Sequence, residues 1–146
     1  MHHYFAFGSN LDQDQMRARC PDARLLGVAE LRGYQLAFTI YSPLRKCGCA
    51  DILPVAGKSV FGLLYELTDD DLARMDEFEG HPFHYQRLTV DVMLDGKIVA
   101  AETYAVGEKK EGLRPSSEYL ALIRNAAERF GFPEAYRDEL ANIVAE

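Results

Sequence analysis

Apolar and polar positions follow changing periods along this chain, and each change of period marks an element. Tyr4-Phe5-Ala6-Phe7 is an uncharged apolar run that breaks at Gly8-Ser9-Asn10, which predicts a strand covered on both faces and then a corner. Gly8 suits a tight turn or a positive φ, and Asn10 is expected to cap a helix over 12–19. Cys20-Pro21-Asp22 stops that helix. Residues 25–31 and 34–41 are rich in aliphatic, β-branched and aromatic side chains and are separated by Arg32-Gly33, which predicts two strands paired as a hairpin. A loop over 42–48, a short strand over 50–53 and a turn at 56–58 come next. Residues 60–67 read as a further strand, and its interior Gly62 marks a bulge, a close approach by another backbone or, as we expect, a barrel bend.

The period then lengthens. Thr68 is placed to cap a helix with an acidic first turn, Asp69-Asp70-Asp71, in which Asp71 occupies the capping-box position. Leu72, Met75 and Phe78 form its expected buried stripe, and Gly80 followed by Pro82 ends it at Glu79. Residues 84–94 alternate, with Leu88, Val90 and Val92 on one face, and Asp95-Gly96 is a hairpin turn leading into a strand over 97–106. The charged, glycine-containing stretch 107–114 reads as a mobile loop. Pro115-Ser116-Ser117 starts a helix with Tyr119, Leu120, Ile123, Ala127 and Phe130 at a 3.6 period, ending at Gly131. A last helix carries Tyr136, Leu140, Ile143 and Val144. Strands interleaved with a few helices predict an α+β fold with a small, mixed, partly antiparallel β-barrel surrounded by helices, built as one domain over 1–146.

Composition narrows the function. A net charge of -7 argues against nucleic acid or an anionic membrane as the main partner and for a small substrate. No apolar run reaches the roughly 20 residues of a membrane span, and the N-terminus lacks a signal-peptide pattern, so a cytoplasmic location is expected. Three cysteines, an odd number, do not suggest a disulfide framework.

Two stretches carry the candidate chemistry. The Gly8-Ser9-Asn10 corner aims backbone N–H groups outward, a setting suited to a carboxylate or phosphate, although the same tripeptide also serves as a plain strand-to-helix turn. Glu79, in Met75-Asp76-Glu77-Phe78-Glu79-Gly80, sits at the negative end of a helix macrodipole, where a carboxylate costs stability. Unpaired carbonyls and partial burial there favour its protonated form and make it a better base; the alternative is a solvated surface glutamate. Asp76 and Glu77 read as solvated.

Together with Pro115-Ser116-Ser117-Glu118-Tyr119 and Gly131-Phe132-Pro133-Glu134-Ala135-Tyr136, these stretches resemble the γ-glutamylcyclotransferase superfamily, which includes AIG2-like proteins. The resemblance implies release of 5-oxoproline and a free amine or amino acid from a small γ-glutamyl compound, without metal or cofactor. It places Glu79 as general acid/base and Tyr4, Phe5, Ala6, Phe7, Gly8, Ser9 and Asn10 along the γ-glutamyl pocket. Tyr85 and Tyr104 fall where similar proteins hold tyrosines near that pocket, and they also suit amphipathic strands. Phe7 stands where many members carry tyrosine, and Gly48-Cys49 where a second glycine is common. A monomer or a homodimer is expected. Two other readings stand beside this one: a protein of the same fold that binds γ-glutamyl groups without catalysis, and a metal site built from Cys47, Cys49, His81 and His84.

Overall fold

A computed structural model describes residues 1–146. Its five strands are β1 (His2–Ala6), β2 (Arg24–Ser42), β3 (Cys47–Leu67), β4 (Tyr85–Leu94) and β5 (Lys97–Val106). They close a barrel in the order β1-β3-β2-β4-β5. Every pairing is antiparallel except that of β1 with β5. Four helices lie around it: α1 (Gln13–Arg19), α2 (Asp69–Glu79), α3 (Ser117–Arg129) and α4 (Glu134–Ala141). The expected α+β fold with a mixed barrel is the fold observed.

The central hairpin differs from the expectation. Residues 25–31 and 34–41 do not pair with each other; they are one strand, β2, and both halves pair with β3. Gly33 and the 56–58 stretch mark a bulge rather than reversals. Arg32 faces Ser59 and Tyr34 faces Pro54, so Val55 to Lys58 of β3 are accommodated opposite Gly33 alone. Gly33 and Gly57 both take φ of +81°, which supplies the local kink without breaking the ladder. The chain reverses instead through Pro43 to Lys46.

Gly62 is not a bend. A Cβ at this position would lie 2.1 Å from the carbonyl oxygen of Ala6 and 2.9 Å from the ring of Phe5, so glycine is what lets β1 lie tightly against β3. The seam between β1 and β5 is held by a single ladder pair, Tyr4 with Glu102. The buried Thr103 hydroxyl donates to the Phe5 carbonyl at 2.8 Å, satisfying an acceptor the short ladder leaves open.

Several local expectations are also corrected. Asp12, not Asn10, caps α1, its carboxylate accepting from the Gln15 amide at 3.1 Å; Asn10 lies in a preceding 3-10 turn, Ser9–Leu11, with its side chain buried. Thr68 caps α2 as expected, whereas Asp71 is buried and paired with Arg74 rather than closing a capping box. Leu72 and Met75 are buried, but Phe78 is 53 % exposed, because Arg19 covers its ring at 4.8 Å instead of the core doing so. Val144 is likewise exposed beyond the end of α4. The 107–114 stretch is tied down: Lys109 reaches the buried Asp51 carboxylate at 2.6 Å, the Lys110 amide donates to Thr39 and the Arg114 carbonyl accepts from Gly48.

These glycine roles make a stability test. Gly62→Ala is expected to cost about 2–4 kcal/mol, since the clash is with backbone and a packed ring. Gly57→Ala, which meets no atom within 4 Å, is expected to cost only about 1–2 kcal/mol of left-handed strain. Urea unfolding midpoints measured at constant slope rank the two, and an equal or reversed ranking contradicts the close-approach reading.

Candidate functional site

The open end of the barrel is covered by the Gly8-Ser9-Asn10 turn, the end of α2 and the start of α3. Between them lies a narrow chamber with a free volume of about 40 Å³. Its polar walls are the Gly8-Ser9-Asn10 turn, Glu79 and four tyrosines, Tyr4, Tyr85, Tyr104 and Tyr119. It continues into an outer chamber of about 350 Å³ that shares Ser9, Glu79, Tyr85 and Tyr119 and adds Arg19, Arg45 and Cys49.

Each wall has a local cause. Thr68 starts α2 and Gly80 ends it in the left-handed conformation at φ +68°, with a second reason to be glycine: a Cβ would lie 2.5 Å from the His84 ring. Glu79, on the last turn, therefore faces the chamber instead of solvent. Gly8 has a φ of −116°, so no positive φ is needed there, contrary to one expectation. Its Cβ would meet Ala50 Cβ at 3.0 Å and the Tyr119 hydroxyl at 3.3 Å, and close packing is the constraint.

Asn10 is the link between the two stretches singled out in the sequence. Its carbonyl oxygen accepts from Gln15 Nε2 at 2.8 Å and Arg19 Nη1 at 3.1 Å, which fixes the amide so that Nδ2 faces Tyr4 Oη at 2.9 Å and Glu79 Oε1 at 3.3 Å. Burial raises the Glu79 carboxyl from the usual carboxylate range to about 7, and the nearby Arg19 and Arg45 guanidinium groups moderate the rise. Neither arginine has a carboxylate partner. Arg19 stacks on Phe78, and Arg45 lies over the Tyr119 ring at 5.2 Å and donates to Gln15.

Two of the tyrosine hydroxyls donate their proton in a hydrogen bond, and the other two only accept. Tyr85 donates to the Ala50 carbonyl at 2.7 Å, and Tyr119 accepts from the Ala50 amide at 2.9 Å. Tyr104 donates to Asp76 Oδ1 at 2.6 Å. Burial raises the pKa of all four chamber tyrosines, so each keeps its proton.

Of the expected site residues, Tyr4, Phe7, Gly8, Ser9, Asn10, Glu79, Tyr85 and Tyr104 come together around the chamber. Phe5 and Ala6 do not: both are buried, and the Phe5 ring and the Ala6 carbonyl are taken up by the close approach of β1 to Gly62. Asp76 is not simply solvated; it holds Tyr104 and lies 3.5 Å from Arg87. Ala50, Tyr119, Arg19 and Arg45 were not legible as site residues. The one available signal was Tyr119 in the capped start of α3, three residues after Ser116.

The alternative metal site is not formed. No group of three or more His, Cys, Asp and Glu side chains converges anywhere. Cys47 and Cys49 are buried, and His81 Nδ1 accepts from the Arg87 amide. Burial raises the Cys49 thiol to about 12 and Cys20 to about 11, so neither supplies a thiolate nucleophile. No helix is long and apolar enough to cross a membrane.

A family model described as gamma-glutamyl cyclotransferase, AIG2-like, matches residues 4–121. The gamma-glutamylcyclotransferase of Bos taurus is 30% identical over 148 residues, covering 96% of this chain and 77% of that protein. That of Homo sapiens is also 30% identical, over 146 residues, with the same coverage. A solved structure described as gamma-glutamyl cyclotransferase superposes with a TM-score of 0.93 at 28% identity, covering 99% of this chain and 89% of that one. Since the family match runs from β1 into α3 and so spans every wall of the chamber, this chain belongs to the gamma-glutamyl cyclotransferase, AIG2-like family.

Proposed function

We propose that this protein is a γ-glutamylcyclotransferase that converts a small γ-glutamyl compound with a free α-amine into 5-oxoproline and the released amine or amino acid. The observation that carries this reading is the Glu79 carboxyl, enclosed opposite the Gly8-Ser9-Asn10 turn and raised to about 7 by burial. A carboxyl at that value is ionised in half the molecules near neutrality, so it both takes and returns a proton readily.

The reaction requires both transfers. The neutral α-amine attacks the substrate's own γ-carbonyl carbon, forming the ring C–N bond. A proton leaves that nitrogen for Glu79. As the original γ-amide C–N bond breaks, Glu79 passes the proton to the departing nitrogen and returns to its ionised state. The folded substrate brings nucleophile and electrophile together, and intramolecular attack in good geometry is equivalent to about 10⁵–10⁸ M of external nucleophile. The narrow inner chamber favours that folded state, and the larger outer chamber gives the leaving group its place. The family relationship and the absence of any thiolate or serine–histidine pair at the chamber support a nucleophile supplied by the substrate.

Glu79→Gln is expected to leave the fold intact and lower turnover about 10²- to 10⁴-fold. In the wild type, kcat/KM is expected to rise with pH through an acid limb near the Glu79 value of about 7, because the base form is the ionised one. Steady-state rates from pH 5 to 9 check both, and a Gln variant that keeps the rate removes Glu79 from the mechanism.

Stability carries the opposite sign. The folded chain holds a proton on Glu79 up to about 7, whereas the ordinary value is 4.5. This contribution favours folding below pH 4.5 and is lost as pH rises toward 7. Relative to wild type, Glu79→Gln is therefore expected to gain thermal stability from acid to neutral pH and to level off above about pH 7. Melting curves of both proteins across that range provide the comparison, and a pH-independent difference contradicts the buried-carboxyl account.

The nucleophile is tested in heavy-oxygen water. A γ-glutamyl compound with a free α-amine is expected to yield unlabelled 5-oxoproline, and the N-acetylated compound is expected not to react, since the attacking lone pair is blocked. Labelled glutamate, or turnover of the N-acetyl compound, identifies water as the nucleophile and overturns the cyclotransferase reading.

A further inference from the structure

Asp76 is one turn ahead of Glu79 on α2, at the i, i+3 spacing that puts two side chains on one helix face. Both carboxyl groups therefore look toward the barrel mouth, but only Glu79 lines the chamber. Asp76 stands behind it, with Oδ1 accepting from the Tyr104 hydroxyl at 2.6 Å and Oδ2 3.5 Å from Arg87 Nη1. Arg87 and Tyr104 are themselves cross-strand partners on β4 and β5, so the three groups form a closed arrangement tying α2 to the barrel wall.

A phenol has one proton to donate and lone pairs with which to accept. Tyr104 is buried and its single proton is already given to Asp76, so toward the chamber it offers only an acceptor. Tyr85 is in the same condition, its proton given to the Ala50 carbonyl. The polarity of this side of the chamber is therefore fixed: two phenolic oxygens and the Glu79 carboxylate, all accepting, suit a group that carries several N–H bonds. Tyr4, whose ring lies edge-on to that of Tyr104 at 6.0 Å, accepts from Asn10 and keeps its own proton free to donate, so Tyr104 and not Tyr4 is the phenol restricted to accepting.

We propose that Asp76 is a positioning residue: by accepting the only hydroxyl proton of Tyr104, it leaves that oxygen to accept an N–H from the substrate's α-amino group beside Glu79. The inference rests on the cyclotransferase reading and deepens it by assigning the side of the chamber on which the nucleophile is held. Asp76 touches no reacting atom. Without it, the Tyr104 hydroxyl is free to rotate and turn its proton toward the chamber, and the oxygen is no longer held as an acceptor for the amino N–H. Because the N–H to Tyr104 contact exists in bound substrate and transition state alike, its loss falls on KM rather than kcat.

The test is a double-mutant cycle on the full chain with a γ-glutamyl substrate that the wild type turns over. Asp76→Ala and Tyr104→Phe are each expected to raise KM about ten-fold, with kcat within about three-fold of wild type, in line with the loss of one hydrogen bond to a charged or strongly polar group. In the double variant the KM should match that of the single variants. Arg87→Met, which removes the ion pair but leaves the Asp76–Tyr104 bond, is expected to keep the wild-type KM. An unchanged KM in Asp76→Ala, a double variant showing the product of the two single effects, or an Arg87→Met variant as impaired as Asp76→Ala each overturns the assignment. Should Asp76→Ala fail to fold, an unchanged KM in Tyr104→Phe overturns it equally. A wild type inactive on every γ-glutamyl compound with a free α-amine overturns the function itself, an outcome separate from any of these.

Discussion

Removing one carboxyl group from water is the constraint on which the arrangement of this barrel mouth depends. An ionised carboxylate in an apolar enclosure is costly, and the protein meets that cost only in part. Asn10 offers Glu79 one long amide contact, and two arginines stand near enough to be felt without pairing with it. A direct ion pair would have held the carboxyl far below neutrality. The stacking of Arg19 on Phe78 and of Arg45 on Tyr119 keeps the guanidinium groups at the edge of the site rather than in contact with Glu79. Even the exposed position of Phe78 follows from this, since its ring carries a cation instead of filling the core.

The barrel supplies rigidity on the opposite wall. Ala50 has both of its backbone polar groups occupied by tyrosine hydroxyls, and its neighbour Asp51 accepts from Thr39, the Val106 amide and Lys109. A buried carboxylate with that many donors is well satisfied. It joins β2, β3, β5 and the 107–114 segment at one point, immediately behind the chamber. The site is thus set between a fixed wall on β3 and a helix end positioned by Gly80.

Much of this was legible from the sequence because it rests on local rules. The Thr68 cap, the helix start at Pro115-Ser116-Ser117, the Gly80 terminus and the Asp95-Gly96 hairpin are short-range patterns, and the chain follows them. The pairing of Gly8-Ser9-Asn10 with Glu79 was visible as two unusual stretches, though the residue joining them, Asn10, read as a cap. Capping preference is a property of isolated helix ends, and here Asp12 takes that role while the Asn10 side chain turns inward. Long-range features were hidden for a common reason. Gly33 and Gly57 look like chain reversals until they are seen opposite each other as a bulge. Gly62 looks like a bend until Ala6 and Phe5 are placed against it. Asp76 is a surface carboxylate by spacing alone and becomes something else only when β5 brings Tyr104 beside it.

The contact between Gly8 and Ala50 has a consequence for how this chamber can change over time. A methyl group added at position 8 would sit 3.0 Å from the methyl already present at position 50. A methyl at position 8 therefore fits only if the Ala50 methyl and the Tyr119 hydroxyl, 3.3 Å away, give way by a few tenths of an ångström. The two positions are thus coupled through space, although they lie on different elements and far apart in the chain. A bulkier residue at position 8 is accommodated by a shift of the β3 wall, which Tyr85 and Tyr119 hold in place through the Ala50 backbone.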